Sequence, residues 1–389
     1  MRPETMKIVD DLREQNILTL EHAKREQKKI VGAYCAYSPK EIILAAGALP
    51  VSLCGTKQEP IAAAEKILPR NICPLIKSSF GFAITDTCPY FRMSDFVVAE
   101  TTCDGKKKMF EMLKEYKPMH VLHLPQGTDR PGALKWWTDE LNLLKEKLEE
   151  HFGVKITEEN LRQAIKLVNR ERVGMRKLHE LNKIVPAPLT GMDTLTSLWM
   201  KGFNVDVNEG IELIEQLSKE VEEIVSAGSS PFKADTPRII LTGCPVGMGS
   251  EKVLRLLEDC GGSVVCLESC GGYKPVDTLV DEDEKRDPIE AIAEKYLQIP
   301  CSCMSPNEDR FRLISQMIEE YKADGIVDLT WQACHTYNVE GELLSRMVKE
   351  NHDLPYLHIE TDYSTSDLQQ LQTRIEAFIE VLNRRKNLS

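Results

Sequence analysis

The chain has 389 residues, of which 42% are hydrophobic and 28% charged, a balance typical of soluble globular proteins with two or three domains at this length. Its formal charge of −12 argues against a nucleic-acid partner or an anionic membrane, because both favour a basic face. We find no run of 18 apolar residues and no signal-peptide pattern at residues 1–20, so we expect a cytoplasmic protein with no membrane partner.

The first third of the chain alternates strand and helix patterns. Residues 1–29 are predicted to form N-terminal helices, and residues 30–130 a first α/β domain. Alternation of this kind favours a parallel sheet with helices on both faces. The predicted strands are 30–35, 50–54, 96–99 and 120–124, and the predicted helices are 38–46, 61–68, 75–82 and 106–116.

Residues 131–237 change character and are predicted to be a helical region packed on the two sheets. Three long charged segments have helical periodicity, and Pro186-Ala-Pro188 interrupts them. The segment Lys233–Pro237 is the predicted boundary with the carboxyl-terminal part of the chain. The three helices are predicted at 133–152, 158–183 and 209–226.

Residues 238–389 restart the α/β pattern and form the second predicted α/β domain. The glycine-rich turn at 243–249 is either a tight backbone turn or a phosphate cradle; it lacks the G-x-G-x-x-G spacing and the Lys-Ser/Thr pair of known nucleotide loops, which favours the turn. The predicted strands are 238–242, 263–267, 326–329 and 356–359, and the predicted helices are 250–260, 288–298, 310–321, 340–351 and 366–383.

Two stretches in the predicted domains share one pattern. Asp95 to Cys103 and Asp324 to Cys334 both contain an apolar strand, a Thr, a polar loop and a cysteine. Ligands of open α/β sheets lie beyond the carboxyl ends of the strands. We therefore interpret Cys103 and Cys334 as equivalent positions in two related halves, directed at one shared metal centre.

The distribution of the twelve cysteines also points to a metal. Five lie in residues 1–130, none in 131–237 and seven in 238–389. A reducing cytosol disfavours structural disulfides, so many thiols there indicate metal or redox chemistry. The alternative is that some are ordinary core residues, an explanation we apply first to Cys260 and Cys266. This core-residue explanation accounts poorly for the absence of cysteine from residues 131–237.

Seven cysteines share a loop or helix-start context, mostly beside Pro or Gly, which suits an iron–sulfur cluster held on rigid turns. Cys103 precedes a helix with three lysines, and both the helix dipole and the lysine charges favour a thiolate. The alternative is that these lysines form a solvated helix face or a docking patch. Ferredoxin-like and zinc-ribbon spacings are missing, so spacing alone predicts only an iron–sulfur protein with ligands from two domains. The seven are Cys73, Cys88, Cys103, Cys270, Cys301, Cys303 and Cys334.

Motifs along nearly the whole chain resemble the 2-hydroxyacyl-CoA dehydratase and benzoyl-CoA reductase family, and within it the double-cubane cluster proteins. The resemblance implies two Rossmann-like parallel-sheet domains facing a shared iron–sulfur cluster, with added helices. The motifs are Gly32-Ala-Tyr-Cys-Ala-Tyr-Ser-Pro-Lys-Glu41, Leu68-Pro-Arg-Asn-Ile-Cys-Pro-Leu-Ile-Lys-Ser-Ser79, Glu100-Thr-Thr-Cys-Asp-Gly-Lys-Lys-Lys-Met109, Thr242-Gly-Cys-Pro245, Cys301-Ser-Cys-Met-Ser-Pro-Asn307, Gln332-Ala-Cys-His335 and Glu360-Thr-Asp-Tyr-Ser364.

The resemblance also implies a ligand set. Family dehydratase subunits hold one 4Fe-4S cubane with three cysteines, which match Cys73, Cys103 and Cys334 here. A double cubane, an 8Fe-9S cluster, needs six thiols, for which we choose Cys88, Cys270 and Cys303 in addition. Cys301 is the close rival of Cys303. Cys35, Cys54 and Cys244 are interpreted as nearer the core.

The function implied by the resemblance is that of an iron–sulfur reductase component. A separate homodimeric ATPase activator, with its own 4Fe-4S cluster, would deliver electrons, and the cluster would reduce a small unsaturated molecule. No Walker motif occurs in this chain, in agreement with an external ATPase. A homodimer is expected, because one chain has all the cysteines that a double cubane requires.

Other hypotheses remain open. The chain could be a subunit of a 2-hydroxyacyl-CoA dehydratase with a single 4Fe-4S cluster, or a cluster carrier, although a carrier would hold its cluster exposed. His335 is the candidate proton donor, with a hydrogen bond that holds the Cys334 loop as the alternative role. Four acids that follow predicted strands could move protons, but more often such residues cap helices. They are Glu100, Glu268, Glu360 and Asp362.

Overall fold

A computed structural model describes residues 2–388, and in this part of the chain two four-stranded parallel sheets form an α/β protein. This confirms the predicted fold class. The strands of the first sheet are β1 (Lys29–Tyr34), β2 (Ala48–Leu53), β3 (Phe96–Glu100) and β4 (Met119–Leu122). The strands of the second sheet are β5 (Arg238–Gly243), β6 (Ser263–Leu267), β7 (Gly325–Trp331) and β8 (Tyr356–Thr361).

The two sheets have the same strand order. The first runs β2-β1-β3-β4 and the second β6-β5-β7-β8, so β3 and β7 hold equivalent positions. Every residue of both strands is buried, as expected for internal strands of a parallel sheet that is covered on both faces. The predicted equivalence of the two halves is therefore confirmed at the level of topology.

Fifteen α-helices lie among residues 2–388. The amino-terminal ones are α1 (Thr5–Arg25), α2 (Lys40–Ala45), α3 (Ile61–Ala64), α4 (Pro74–Ile84), α5 (Pro89–Met93) and α6 (Asp104–Leu113). The middle ones are α7 (Ala133–Phe152), α8 (Glu158–Leu181), α9 (Gly191–Phe203) and α10 (Val207–Ser226). The carboxyl-terminal ones are α11 (Lys252–Asp259), α12 (Pro288–Leu297), α13 (Glu308–Glu320), α14 (His335–His352) and α15 (Leu368–Leu388).

The middle helices join the two halves. Helix α9 contacts β2 of the first sheet and β6 of the second, while α8 packs on α2 and α10. This agrees with a helical region packed on both sheets. None of the helices in the described range combines the length and apolar character needed to cross a bilayer.

Several local predictions were wrong. Helix α9 and the short helix α5 were not predicted, and α14 begins at His335 rather than at residue 340. Helix α2 begins at Lys40 rather than at residue 38, because Pro39 is its N-cap and the Ser38 hydroxyl donates to the Tyr34 carbonyl.

One hydrophobic core extends across both sheets. It contains Val97 and Phe110 from the first half together with Val327, Leu329 and Ile375 from the second. Because burying apolar surface is the main favourable term in folding, this shared core holds the two halves in contact. The carboxyl ends of the two sheets consequently face a common space.

Candidate metal centre

Six cysteines follow the strands of the two sheets in a nearly symmetrical way. Three come directly after a strand, and three come three residues after one. Since all strands are parallel within a sheet, these thiols lie at the carboxyl edge, where open α/β sheets bind ligands. After β1, β2 and β3 they are Cys35, Cys54 and Cys103, and after β5, β6 and β7 they are Cys244, Cys270 and Cys334.

Four cysteines are the N-cap residues of helices. In two of them the sulfur accepts a backbone N–H, from Phe91 to Cys88 at 3.4 Å and from Lys106 to Cys103 at 3.5 Å. The helix dipole favours a negative charge at this position and therefore a thiolate. The helices α4, α5, α6 and α14 begin after Cys73, Cys88, Cys103 and Cys334 respectively.

Cys73, Cys244 and Cys334 meet at the boundary of the two halves. Hydrogen bonds from Cys244 and Cys73 lower the pKa of Cys334 well below its usual value. The same hydrogen bond raises the pKa of Cys73, while burial raises that of Cys244. These three thiols thus affect one another's pKa, and Cys103 interacts electrostatically with Cys334 beside them.

A second group of thiols lies around the loop between α12 and α13. A hydrogen bond from Cys303, together with the charge of Lys274, lowers the pKa of Cys301 to about 6. Burial raises the pKa of Cys270 to about 12, and its charged neighbours include Cys301 and Cys54. Burial also raises the pKa of Cys35, which interacts with Cys270 and Cys301.

A cavity of about 590 Å³ opens beside both groups. Its wall includes Cys35, Cys54, Cys88 and Cys270, together with residues 245–248 of the glycine-rich turn. Cys54 is exposed to this space, so its interpretation as a core residue was wrong; Cys244 is buried as expected. The glycine-rich turn packs Gly247 and Gly249 against Thr56 and Lys57 of the other half, which favours the tight-turn interpretation.

Two buried ion pairs flank the thiols. Glu100 contacts Lys106, and Glu268 contacts Lys274 at 2.9 Å, each lysine lying six residues after its acid. Lys106 interacts with Cys35 and Cys103, while Lys274 interacts with Cys270 and Cys301. Helix capping is therefore the wrong interpretation of Glu268, which also contacts Arg310 and Thr242.

The ligands predicted from the sequence lie in different parts of this site. Cys73 and Cys334 are in contact, Cys103 lies near them, and Cys88 and Cys270 line the cavity. Cys303 is buried in a hydrophobic cluster with Tyr37, whereas Cys301 faces the second thiol group. Cys260 and Cys266 belong to neither group; Cys266 is buried beside Met317.

His335 lies apart from this cavity. It is the first residue of α14, its side chain is exposed, and it is not part of the cavity wall. In the described residues we find no hydrogen bond from its ring to the Cys334 loop. The geometry supports neither of the two roles expected for it.

The donor set fits an iron–sulfur cluster better than a single ion. Among residues 2–388, no group of three or more His, Cys, Asp or Glu side chains is arranged to hold one metal ion. Thiols from both halves instead line one cavity, whose wall includes Cys35, Cys54, Cys88 and Cys270. A multi-iron cluster needs thiolates on rigid turns around such a space.

Sequence reasoning missed the involvement of Cys35, Cys54 and Cys244. A usable signal was present, because Cys35 and Cys54 end predicted strands and Cys244 lies two residues after one. It also missed the paired lysines, which the repeated six-residue spacing from Glu100 and Glu268 could have revealed.

The chain is similar to known proteins over most of its length. The sequence model of the family described as "2-hydroxyglutaryl-CoA dehydratase, D-component" matches residues 35–382. YjiM of Escherichia coli strain K12, which bears the name of a dehydratase subunit, is 47% identical over 96% of each chain. The (R)-phenyllactyl-CoA dehydratase beta subunit of Clostridium sporogenes is 27% identical over 93% of this chain and 94% of its own. A benzoyl-CoA reductase subunit of Thauera aromatica is 21% identical over 90% of each chain.

Proposed function

The chain belongs to the 2-hydroxyglutaryl-CoA dehydratase D-component family, and we propose that it is an iron–sulfur reductase component with a double-cubane 8Fe-9S cluster. Its relatives are named as subunits of dehydratases and reductases. The observation that supports the proposal most is the thiol-lined cavity between two sheets of equal topology. It provides more thiols than a single cubane uses.

In this proposal, Cys73, Cys103 and Cys334 hold one cubane, and Cys88 and Cys270 hold the second. The sixth thiol comes from the loop of Cys301 and Cys303. Cys301 is the better choice on electrostatic grounds, because its pKa of about 6 favours the thiolate that iron requires.

When bound, such a cluster supplies electrons at low potential. The chain's own residues set its surroundings. Lys106 and Lys274 place positive charge beside the thiols. Trp331 packs edge-on against Tyr363, with ring centroids 4.9 Å apart. This aromatic pair limits the access of water near Cys73 and Cys244. The Tyr363 hydroxyl donates to the Gly55 carbonyl at 2.9 Å and so ties the two halves together at this wall.

The electron donor in this proposal is an ATP-hydrolysing activator that carries its own 4Fe-4S cluster, and the working unit is a homodimer. Support comes from family membership and from the absence of a known nucleotide motif in this sequence. The acceptor is a small molecule bound in the cavity.

A second candidate is a dehydratase subunit with one 4Fe-4S cluster. The compact group of Cys73, Cys103 and Cys334 favours it, as does the naming of several relatives as alpha or beta subunits. In that case a different subunit would complete the enzyme.

Strictly anaerobic purification with iron and sulfide counts tests both candidates. We expect about eight irons and about nine sulfides per chain for the double cubane, and about four of each for a single cubane. The reason is that each cubane holds a set number of iron atoms, whichever thiols bind it. A zinc-only or metal-free protein would overturn both candidates.

A further inference from the structure

The cavity has a strongly basic wall in an acidic protein. Seven charged residues line it, six of them basic, although the whole chain has a net charge of −12. Such a local excess is not explained by the average composition. The seven are Arg13, Lys40, Lys57, Glu171, Arg172, Lys201 and Lys295.

Two of these cations have no carboxylate partner among the described residues. Lys40 pairs with Glu171 at 2.5 Å, and Arg172 pairs with Glu41 at 2.6 Å. Lys201 donates only to the Gly271 carbonyl at 3.4 Å, and Lys295 to the Pro275 carbonyl at 2.8 Å. In the described residues neither lysine has an acidic oxygen within 4.0 Å, so four cations face two carboxylates.

Lys201 and Lys295 both line the cavity, and we call this part of its wall the floor. Lys295 is 2% exposed, and its neighbours Arg172 and Tyr296 are also buried, whereas Lys201 is half-buried. Leu198, Trp199 and Phe203 supply an apolar part of the wall. The cavity therefore combines basic side chains with an apolar surface.

We propose that the floor of this cavity binds the carboxylate of a small organic acid through Lys201 and Lys295, with the apolar body of the acid against the α9 wall and next to Cys270. This names the substrate class of the proposed reductase and rests on that function. Burying an unpaired ammonium group is unfavourable, and an anion with two charge-assisted hydrogen bonds offsets that penalty.

Titration calorimetry under strictly anaerobic conditions tests the proposal, with sodium butyrate as the probe and butyramide as its uncharged isostere. We expect butyrate to bind at least about tenfold more tightly than butyramide, because only the carboxylate accepts two charge-assisted hydrogen bonds. Lys295→Met and, separately, Lys201→Met should each weaken butyrate binding about tenfold or more. Lys66→Met, at an exposed site outside the cavity, removes the same charge and should leave binding unchanged.

The outcomes separate this proposal from the cluster proposal. Equal binding of butyrate and butyramide, or unchanged butyrate binding in both cavity variants, would overturn it. So would inorganic phosphate that binds as tightly as butyrate, or butyryl-CoA that binds tightly where butyrate does not. If wild type does not bind butyrate and the variants lose iron, the lysines serve the cluster and the proposal fails. Binding is also measured on iron-free protein, so a failed iron count overturns the reductase without affecting this result.

Discussion

Cysteine at a helix N-cap is the residue-scale feature that distinguishes this chain. Ser, Thr, Asp and Asn stabilise helix starts best, yet α4, α5, α6 and α14 all follow a cysteine. The sulfurs of Cys88 and Cys103 accept a backbone N–H at 3.4 and 3.5 Å. Burial raises the pKa of both thiols, and these backbone N–H groups oppose that rise, so the helix starts favour the thiolate that a metal would bind.

A matched pair of variants tests which thiol of the 301–303 loop serves the cluster. We expect Cys301→Ser to lower the iron count per chain, because its sulfur faces Cys270 and Lys274, whereas Cys303→Ser should retain the iron, because its sulfur packs beside Tyr37. Metal analysis of anaerobically purified protein measures both. Cys260→Ser, outside both thiol groups, is the control. The reverse order of iron loss would make Cys303 the ligand.

At the scale of elements, the turn after β5 brings two thiols of the second half together. Gly243 has φ +103°, and a Cβ there would strike the Leu329 carbonyl of β7. This close approach lets the Cys244 amide donate to Leu329 at 2.7 Å and brings the Cys244 thiol to Cys334. The glycine is therefore required by the approach of the backbone, as in the tight-turn interpretation.

We predict that Gly243→Ala lowers the free energy of unfolding by about 2 kcal/mol or more, because a positive φ and a backbone clash combine. Gly228→Ala is the matched control, with φ +69° and no atom near the added Cβ, and should cost only about 1 kcal/mol. Urea denaturation followed by circular dichroism measures both. Equal losses would show that the contact with Leu329 is unimportant.

At the scale of the whole molecule, the thiol groups lie on a scaffold that has its own large core. The shared core joins both sheets, and further apolar clusters lie under α7 and around α10. A chain of this length buries enough apolar surface to fold without a metal, unlike small zinc domains.

Iron removal should therefore leave the fold intact. We expect protein treated anaerobically with an iron chelator to keep its far-UV circular dichroism while its Tm falls, because a ligand that binds only the native state adds to stability. Untreated protein in the same buffer is the control. Loss of secondary structure on chelation would contradict this and would make the cluster part of the folding core.

The strand pattern was largely predictable from the sequence, because buried parallel strands such as β3 and β7 are mostly apolar. Helix α9 was not, since the nearby prolines suggested a break and its start depends on Thr190, whose side chain accepts the Asp193 amide. The short helix α5 was missed for the related reason that five residues have no periodicity to detect.

A thiol centre between two related halves could be predicted from three features of the sequence. These are the number of cysteines, their absence from residues 131–237, and the positions of Cys103 and Cys334 after predicted strands. Only the tertiary structure determined which other thiols join them. Cys73, Cys244 and Cys334 are far apart in the chain and meet because two sheets pack through one core. The unpaired charges of Lys201 and Lys295 are likewise visible only in three dimensions, because an ion pair depends on the distance between side chains and not on their spacing in the sequence.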